Sequence, residues 1–344
     1  MKSFALEPSE ERSVYINQYA ATHGIPAYIV EKDFWVCWLL ARIFSTPSLG
    51  SACVFKGGTS LSKVFGAIER FSEDIDLALS SDSLGWSEEE LDDAPSPTKR
   101  RRLVKKLDQA CAEAVQGRFH QELETSVSAI LGKPPGSTWL SYEFNSRTNS
   151  PELYFAYPQS VPSGSYIPPV VKVEFGSLTD QRPTGAHRIT PIVAALAPEE
   201  FKDFQSDVVA LEIERTFWEK ITILHAEYHR PSEQPLRDRF ARHYADVAAL
   251  WLHPSREKSL HRLDLLDRVR VHKSRYFEST WANYDTAIPG SLKLLPPENR
   301  IPELRRDYTA MEPMFLANEI PTFDQILEIL REAGQHLNQH PLHP

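Results

Sequence analysis

Residues 55–79 read FKGGTSLSKVFGAIERFSEDIDLAL, and the two ends of this stretch carry its chemistry. At the C-terminal end, Asp74 and Asp76 alternate with apolar residues. Side chains two positions apart on a strand share a face, so the two carboxylates should project together while their apolar neighbours face a core. Adjacent carboxylates repel each other unless a cation lies between them. The pattern predicts a site for a divalent ion, Mg²⁺ or alternatively Mn²⁺, because such ions prefer hard oxygen ligands.

At the N-terminal end, Gly57 and Gly58 precede Thr59 and Ser60. Glycine lacks a Cβ, so the backbone can approach a phosphate closely, and successive N–H groups can form an anion-binding concavity. Residues 60–68 have the apolar spacing of a helix, whose positive N-terminal end would point at the same phosphate. These features predict a nucleotide and metal site. The plainer interpretation is a Gly-rich turn and an edge strand with two exposed acids.

The pattern hG[GS], a spacer and Dh[DE]h resembles that of the polymerase-β-like nucleotidyltransferase superfamily. GGTSLSK with RFSEDIDL is similar, more narrowly, to the AbiEii/AbiGii toxin family of nucleotidyltransferases. The resemblance extends over most of residues 10–255. It implies an α/β (α+β) fold in which residues 1–205 form a nucleotidyltransferase core with a mixed sheet and N-terminal helices. Residues 206–344 would form a C-terminal helical domain, with a cleft between the two.

Three later stretches match further motifs of this family. Lys172-Val173-Glu174-Phe175 matches K-h-E-[FY], and ERTFWEK at residues 214–220 is close to a third motif, with Lys220 as its lysine. RHYADV at residues 242–247 resembles R-H-Y-Y-D-L, although Ala245 replaces the second aromatic residue. From composition alone, residues 172–175 are interpreted as an ordinary half-exposed strand. Its alternation nevertheless places Glu174 on the polar face, where it can be the third carboxylate of a two-metal site.

The resemblance implies transfer of a nucleoside monophosphate from an NTP to an acceptor hydroxyl, with release of pyrophosphate. The implied catalytic residues are Asp74, Asp76, Glu174, Lys220 and Asp246, and the first three of them would also be the metal ligands. The implied nucleotide-binding residues are Gly57, Gly58, Thr59, Ser60, Lys63 and Lys172. Lys63 and Lys220 would neutralise the β and γ phosphates, and Glu174 would orient or deprotonate the acceptor hydroxyl.

Two charged stretches have a plainer interpretation beside a functional one. A long apolar helix is predicted over residues 29–44, and its EKDFW start resembles that of a helix preceding the Gly-Gly strand in AbiEii-like proteins. From the residues alone, Glu31, Lys32 and Asp33 are interpreted as a solvated first helical turn.

A basic cluster could bind RNA phosphates or be a solvated helix face that balances the acidic segment 80–93. The cluster consists of Lys99, Arg100, Arg101, Arg102, Lys105 and Lys106.

Composition limits the class of protein. The net charge of −9 argues against a basic coat for nucleic acid over the whole surface. No apolar run is long enough to cross a membrane, and the N-terminus does not resemble a secretory signal. Cys37, Cys53 and Cys111 suit buried thiols in a reducing cytoplasm. Residues 181–200 are interpreted mainly as loop, and the pattern from residue 208 onward as helical, with no chemistry assigned to residues 253–344.

By the same resemblance, the chain would be the toxin of a bacterial toxin–antitoxin or phage-defence system, with a cognate antitoxin as partner. Some members of the family add nucleotides to tRNA 3′ ends, which makes tRNA the favoured acceptor. Transfer to a protein or small molecule remains an alternative. A nucleotide-binding regulator without turnover is the alternative from another class.

Overall fold

The computed structural model describes residues 1–87, 90, 96–164, 168–197, 201–277, 279–316 and 319–339. The chain divides into two compact units, residues 1–64 with 72–211, and residues 65–71 with 212–344. The chain therefore leaves the first unit between the Gly-Gly and Asp-x-Asp motifs and returns to it just before Asp74.

A mixed sheet organises the first unit. Among the described residues it has seven strands in the order β3-β4-β5-β2-β1-β7-β6. The strands are β1 (Cys53–Lys56), β2 (Ile75–Leu79), β3 (Leu140–Asn145), β4 (Ser150–Phe155), β5 (Val171–Gly176), β6 (Thr184–Ile189) and β7 (Ser206–Leu211). β2 pairs with β5, and β1 with β7, in parallel, while the other pairings are antiparallel. The predicted α/β fold with a mixed sheet is confirmed.

Helices flank this sheet. They are α1 (Lys2–Leu6), α2 (Ser9–His23), α3 (Ala27–Ser45), α4 (Pro47–Ala52), α5 (Gly57–Lys63), α6 (Pro97–Ala114) and α7 (His120–Leu131). A π-helical stretch, Val115–Phe119, joins α6 to α7. Short 3-10 segments occupy Asp82–Leu84, Ile192–Leu196 and Lys202–Phe204. The prediction of a helix over residues 60–68 is wrong at both ends, because α5 begins at Gly57 and the chain leaves the first unit after Val64.

The core of the first unit explains its alternating strands. Every residue of α3 from Ile29 to Leu40 is buried, which is the pattern of a helix enclosed on all sides. On β2 and β5, the apolar residues of the alternation, such as Leu77 and Val173, are fully buried within the same core cluster as α3. The polar residues between them lie on the opposite face of the sheet, as the alternation predicts.

The second unit is mostly helical. Its helices are α8 (Ile213–Tyr228), α9 (Ala241–Leu252), α10 (Arg256–Leu260), α11 (Leu263–Tyr276), α12 (Ile301–Ala310) and α13 (Phe323–Gln339), with 3-10 segments at Tyr284–Thr286, Glu298–Arg300 and Glu312–Met314. The helical pattern begins later than residue 208, because residues 206–211 form β7. The loop interpretation of residues 181–200 is also wrong in part, because β6 lies within it. The assignment of residues 1–205 and 206–344 to two domains stays a prediction.

Within the described residues, no helix has the length and apolar character needed to cross a membrane. The three cysteines are buried and unpaired, as expected. Burial raises the pKa of each thiol, so these groups are neutral and unreactive.

Candidate active site

Both the backbone conformation at position 57 and the space around it require a glycine. Its φ is +84°, a left-handed conformation that residues with a Cβ rarely adopt. A Cβ added at this position would collide with the Asp76 carboxylate. The absent side chain therefore lets an acidic side chain approach the turn where α5 begins. The two motifs of residues 55–79 thus meet at one place in the first unit.

The hydroxyls of Thr59 and Ser60 are already used within this turn. The Thr59 hydroxyl donates to the backbone carbonyl of Asp74 and lies 2.9 Å from Oγ of Ser72. The Ser60 hydroxyl donates to the carbonyl of Gly57 at 3.0 Å. Both side chains are fully buried. They hold the Gly-Gly turn against the start of β2, so contact with a phosphate would fall to the backbone N–H groups of the turn.

Acidic side chains form a row across three neighbouring strands. Asp76 on β2 is directly opposite Glu174 on β5, and Glu174 is directly opposite Glu152 on β4. Strands in a sheet are about 4.8 Å apart, so these carboxylates come from adjacent backbones. The expected position of Glu174 beside Asp76 is confirmed. The interpretation of the Asp-x-Asp segment as an edge strand is wrong, because β2 lies between β5 and β1.

The Lys172 ammonium lies among these acids. Its Nζ is 3.2 Å from Asp74, 3.4 Å from Glu174 and 3.9 Å from Glu152. Burial opposes the charge on Lys172, but the carboxylates of Asp74 and Glu174 outweigh burial and raise its pKa. Burial raises the pKa of Asp74, Lys172 counteracts this, and the neighbouring carboxylates of Glu73 and Asp76 add to the increase. Three carboxylates thus surround one ammonium group, an arrangement that favours a bound cation.

The donor chemistry of this face suits a hard divalent ion. Asp74, Asp76 and Glu174 offer carboxylate oxygens, the ligands that Mg²⁺ and Mn²⁺ prefer. An ammonium group between Asp74 and Glu174 shows that the space accepts positive charge. Among the described residues, no three acidic, histidine or cysteine side chains are yet placed to ligate one ion. The residues fit a metal ion by the chemistry of their oxygen donors, and ligation would require the carboxylates to come together and the Lys172 ammonium to move.

In the second unit, Lys220 and Asp246 form a buried ion pair with a further cation. Lys220 Nζ lies 2.7 Å from Oδ2 of Asp246, and Arg70 contacts both oxygens of the same carboxylate. Burial opposes the charge on Asp246, but Arg70 and Lys220 hold its pKa far below the usual range. Burial, with Arg70 and Arg242 nearby, lowers the pKa of Lys220 against the effect of Asp246. Both predicted residues are thus held in one charged cluster.

The motif residues of the candidate site, from Gly57 to Asp246, all lie within the match to one protein-family model. The family model for "Nucleotidyl transferase AbiEii toxin, Type IV TA system" matches residues 38–329. This chain belongs to the AbiEii family. Membership implies a nucleotidyltransferase toxin of a type IV toxin–antitoxin system, with a nucleotide substrate and an antitoxin partner. A search of curated proteins finds no match.

The EKD segment of this AbiEii protein precedes the matched residues and is buried, which corrects its interpretation as a solvated turn. Lys32 donates to Glu73 at 2.7 Å and to the carbonyl of Pro168 at 3.0 Å. Asp33 pairs with Lys63 and accepts from the N–H of Ile192. The carboxylate of Glu31 accepts from the N–H groups of Ser160 and Val161.

These contacts bear on the site directly. Lys63 is the last residue of α5, and Glu73 is the residue before Asp74. Lys32 and Asp33 on α3 thus hold the end of the Gly-Gly helix and the start of the Asp-x-Asp segment in the first unit. The predicted contact of Lys63 with a triphosphate stays a prediction, and it would require Lys63 to leave Asp33.

Sequence reasoning missed Glu152 and Tyr154 on β4. Glu152 is only 2% exposed and accepts hydrogen bonds from Tyr154 Oη at 2.5 Å and Asn145 Nδ2 at 2.9 Å. The available signal was the alternation in PELYF, which places Glu152 and Tyr154 on one face of a strand. That signal could not show which other strand would lie beside them.

The basic cluster lies on α6. Its helix begins with Pro97, and Ser96 caps it by accepting from the N–H of Lys99 at 3.2 Å. Arg100 is half-buried, and the other five side chains of the cluster are exposed. Of the acidic segment 80–93, residues 88–89 and 91–93 lie outside the described residues. The cluster has the exposure that either interpretation requires.

Proposed function

We propose that this AbiEii-family protein transfers a nucleoside monophosphate from an NTP to an acceptor hydroxyl in a Mg²⁺-dependent reaction. The observation that carries the proposal is the register of the first unit, which puts Glu174 directly beside Asp76 with an ammonium group between Asp74 and Glu174. In phosphoryl transfer, positioning and charge neutralisation supply most of the catalysis. A face with carboxylates from adjacent strands suits that task.

Each residue then has a role that follows from its place. Asp74, Asp76 and Glu174 would hold the metal ions, which neutralise charge on the phosphates and orient the reacting oxygens when bound. Glu174, which lies on β5 between β2 and β4, would orient the acceptor hydroxyl or accept its proton. The Gly57–Gly58 turn would receive phosphate oxygens through backbone N–H groups. Lys220 would neutralise phosphate charge, and Asp246 would hold Lys220 in place.

We propose an RNA acceptor, with a tRNA 3′ end as the favoured one. The support is the exposed basic cluster on α6, which offers contacts to the phosphates of a long acceptor. An RNA end is single-stranded and presents a free hydroxyl. The protein would act in the cytoplasm, where its buried thiols stay reduced, as the toxin of a toxin–antitoxin or phage-defence system.

The test is incubation of the purified protein with each labelled NTP, Mg²⁺, and either total RNA or total protein from cells. We expect label in RNA that ribonuclease removes and protease does not, with a product longer by one or a few nucleotides. Asp76→Asn serves as the inactive control.

Other outcomes separate the alternatives. Label that survives ribonuclease and is lost with protease would reject the RNA acceptor and leave the nucleotidyltransferase. Labelled product that is neither RNA nor protein would indicate a small-molecule acceptor. Mg²⁺-dependent NTP binding with no labelled product under any condition would indicate a binding regulator and overturn the proposed reaction.

A further inference from the structure

The row of carboxylates has one member whose task the proposed reaction leaves open. Glu152 is opposite Glu174 and is buried, whereas Glu174 is partly exposed. A buried carboxylate is retained in a protein only when hydrogen bonds or a cation compensate it. Tyr154 and Asn145 each donate one hydrogen bond to Glu152. A cation also lies within reach, the ammonium of Lys172 at 3.9 Å.

Lys172 is shared unequally among its carboxylates. It is closer to Asp74 and Glu174, at 3.2 and 3.4 Å, than to Glu152. Asp74 and Glu174 are also two of the three carboxylates that would hold the metal ion. An ammonium group and a divalent ion cannot both occupy the space between the same oxygens, because like charges repel strongly at such distances. A metal ion that binds there must displace Lys172.

We propose that Glu152 is a positioning residue that receives the Lys172 ammonium when a divalent cation takes Asp74 and Glu174. The inference rests on the proposed metal-dependent function. The geometry supports it in two ways. Glu152 is already within 3.9 Å of the ammonium, so a small rotation of the lysine side chain completes the pair. Tyr154 and Asn145 fix the Glu152 carboxylate in advance, so the receiving group needs little reorganisation.

The consequence is a site that exchanges one cation for another without leaving a carboxylate or an ammonium unpaired. Without Glu152, the displaced ammonium would have to stay against the bound metal ion or lose its partners. Lys172 would then compete with the metal ion. Supporting groups behind metal ligands typically change metal affinity about 10- to 100-fold.

The test measures binding of Mn²⁺ to the full-length protein, without nucleotide, by the electron paramagnetic resonance signal of free Mn²⁺. We expect Glu152→Gln to bind Mn²⁺ roughly ten- to a hundredfold more weakly than the unaltered protein. Lys172→Met should bind at least as tightly as the unaltered protein, because the competing ammonium is gone. The double variant Glu152→Gln/Lys172→Met should bind like Lys172→Met. A merely structural role of Glu152 would not be rescued by removing Lys172.

Glu143→Gln is the matched control. Glu143 is opposite Glu152 on β3 and is exposed, so its replacement removes one negative charge from the same row, one strand further along. We expect its Mn²⁺ affinity to change less than about threefold, because exposed charges at this distance are largely screened. An equal loss in Glu143→Gln would show a general charge effect and overturn the proposal.

Further results decide the remaining cases. Unchanged Mn²⁺ affinity in Glu152→Gln, or a loss that persists in the double variant, would overturn the role of Glu152 while leaving the proposed transfer reaction intact. Absence of both Mn²⁺ binding and transfer in the unaltered protein would overturn the proposed function itself. If Glu152→Gln does not fold, Tyr154→Phe decides, since it removes one hydrogen bond from Glu152 but keeps the charge. Weaker Mn²⁺ binding that Lys172→Met restores would support the proposal, and unchanged binding would overturn it.

Discussion

Arg70 holds the carboxylate of Asp246 with two hydrogen bonds, from Nε to Oδ1 at 2.8 Å and from Nη2 to Oδ2 at 2.9 Å. Arg70 belongs to the segment 65–71, which joins the helix that begins at Gly57 to the Asp-x-Asp strand. The same segment is fixed within the second unit by backbone bonds, from Phe71 N to Met314 O and from Leu316 N to Glu69 O. Asp246 therefore holds part of the chain that connects two motifs of the candidate site.

This relationship predicts a large effect on stability. Asp246→Asn would leave Arg70 and Lys220 buried side by side without their shared carboxylate. Loss of one partner from a buried ion pair costs about 3–5 kcal/mol. Chemical denaturation should show this loss. Asp324→Asn is the control, because Asp324 pairs with Arg305 through two close contacts on the exposed surface and should change stability little. Equal effects would contradict the prediction.

We expect Asp74→Asn and Asp76→Asn to reduce transfer to below about a hundredth of the unaltered activity, since metal ligation supplies several kcal/mol of transition-state stabilisation. The fold should be kept, because each change removes repulsion between neighbouring carboxylates. Transfer assays and thermal denaturation check the two parts. Asp82→Asn, which replaces an acid shortly after β2, should keep full activity. Substantial transfer by either site variant would argue against a metal-binding role.

Gly57→Ala should inactivate the protein more than its effect on folding explains. A methyl group there would displace the Asp76 carboxylate. Gly85→Ala is a close control, because Gly85 has a nearly equal φ of +83° but open space around the added Cβ. The control should lose about 1–2 kcal/mol of stability and retain transfer. If both variants transfer equally well, the space at Gly57 does not matter for the reaction.

The burial of His225 predicts that the protein loses stability in weak acid. It is fully buried, and its Nδ1 accepts from the N–H of Lys293 while Nε2 lies 3.1 Å from the carbonyl of Asn283. Burial lowers its pKa to about 4. Below about pH 6.5 the unfolded chain takes up a proton that the folded state excludes, so stability falls as pH falls from about 6.5 to 4.

The contribution of His225 over that range is about 3 kcal/mol. Denaturation at several pH values should show a shallower pH dependence in His225→Gln than in the unaltered protein. His261→Gln, which replaces an exposed histidine, should keep the original dependence. An unchanged slope in His225→Gln would assign the effect to other groups.

Neutralising the basic cluster, Lys99 to Lys106, should weaken RNA binding and leave NTP binding unchanged. Removal of each ion pair with an RNA phosphate should flatten the dependence of log affinity on log salt by roughly one unit. Binding measured across a salt series checks this, with Lys258→Gln, an exposed lysine elsewhere, as the control. If RNA affinity does not change at any salt concentration, the interpretation of the cluster as a solvated helix face is favoured.

Local patterns in the sequence were enough for several features. The alternation around Asp74–Asp76 and in residues 171–175 predicted the correct buried and polar faces, because side-chain direction in a strand depends only on the parity of position. The motifs indicated the family, since their residue types and order are properties of the chain. The mixed-sheet α/β fold followed from that family.

Pairing partners were decided only by the tertiary structure. Glu152 stands beside Glu174 because β4 pairs with β5 in one register, and a slip of one residue would turn Glu152 to the other face. Lys32 and Asp33 have the polarity of a solvated turn, yet Glu73 and Lys63 compensate them inside the core. Arg70 meets Asp246, which lies 176 residues further along the chain. Local composition carries no record of such distant pairings, whose geometry depends on how the whole chain packs.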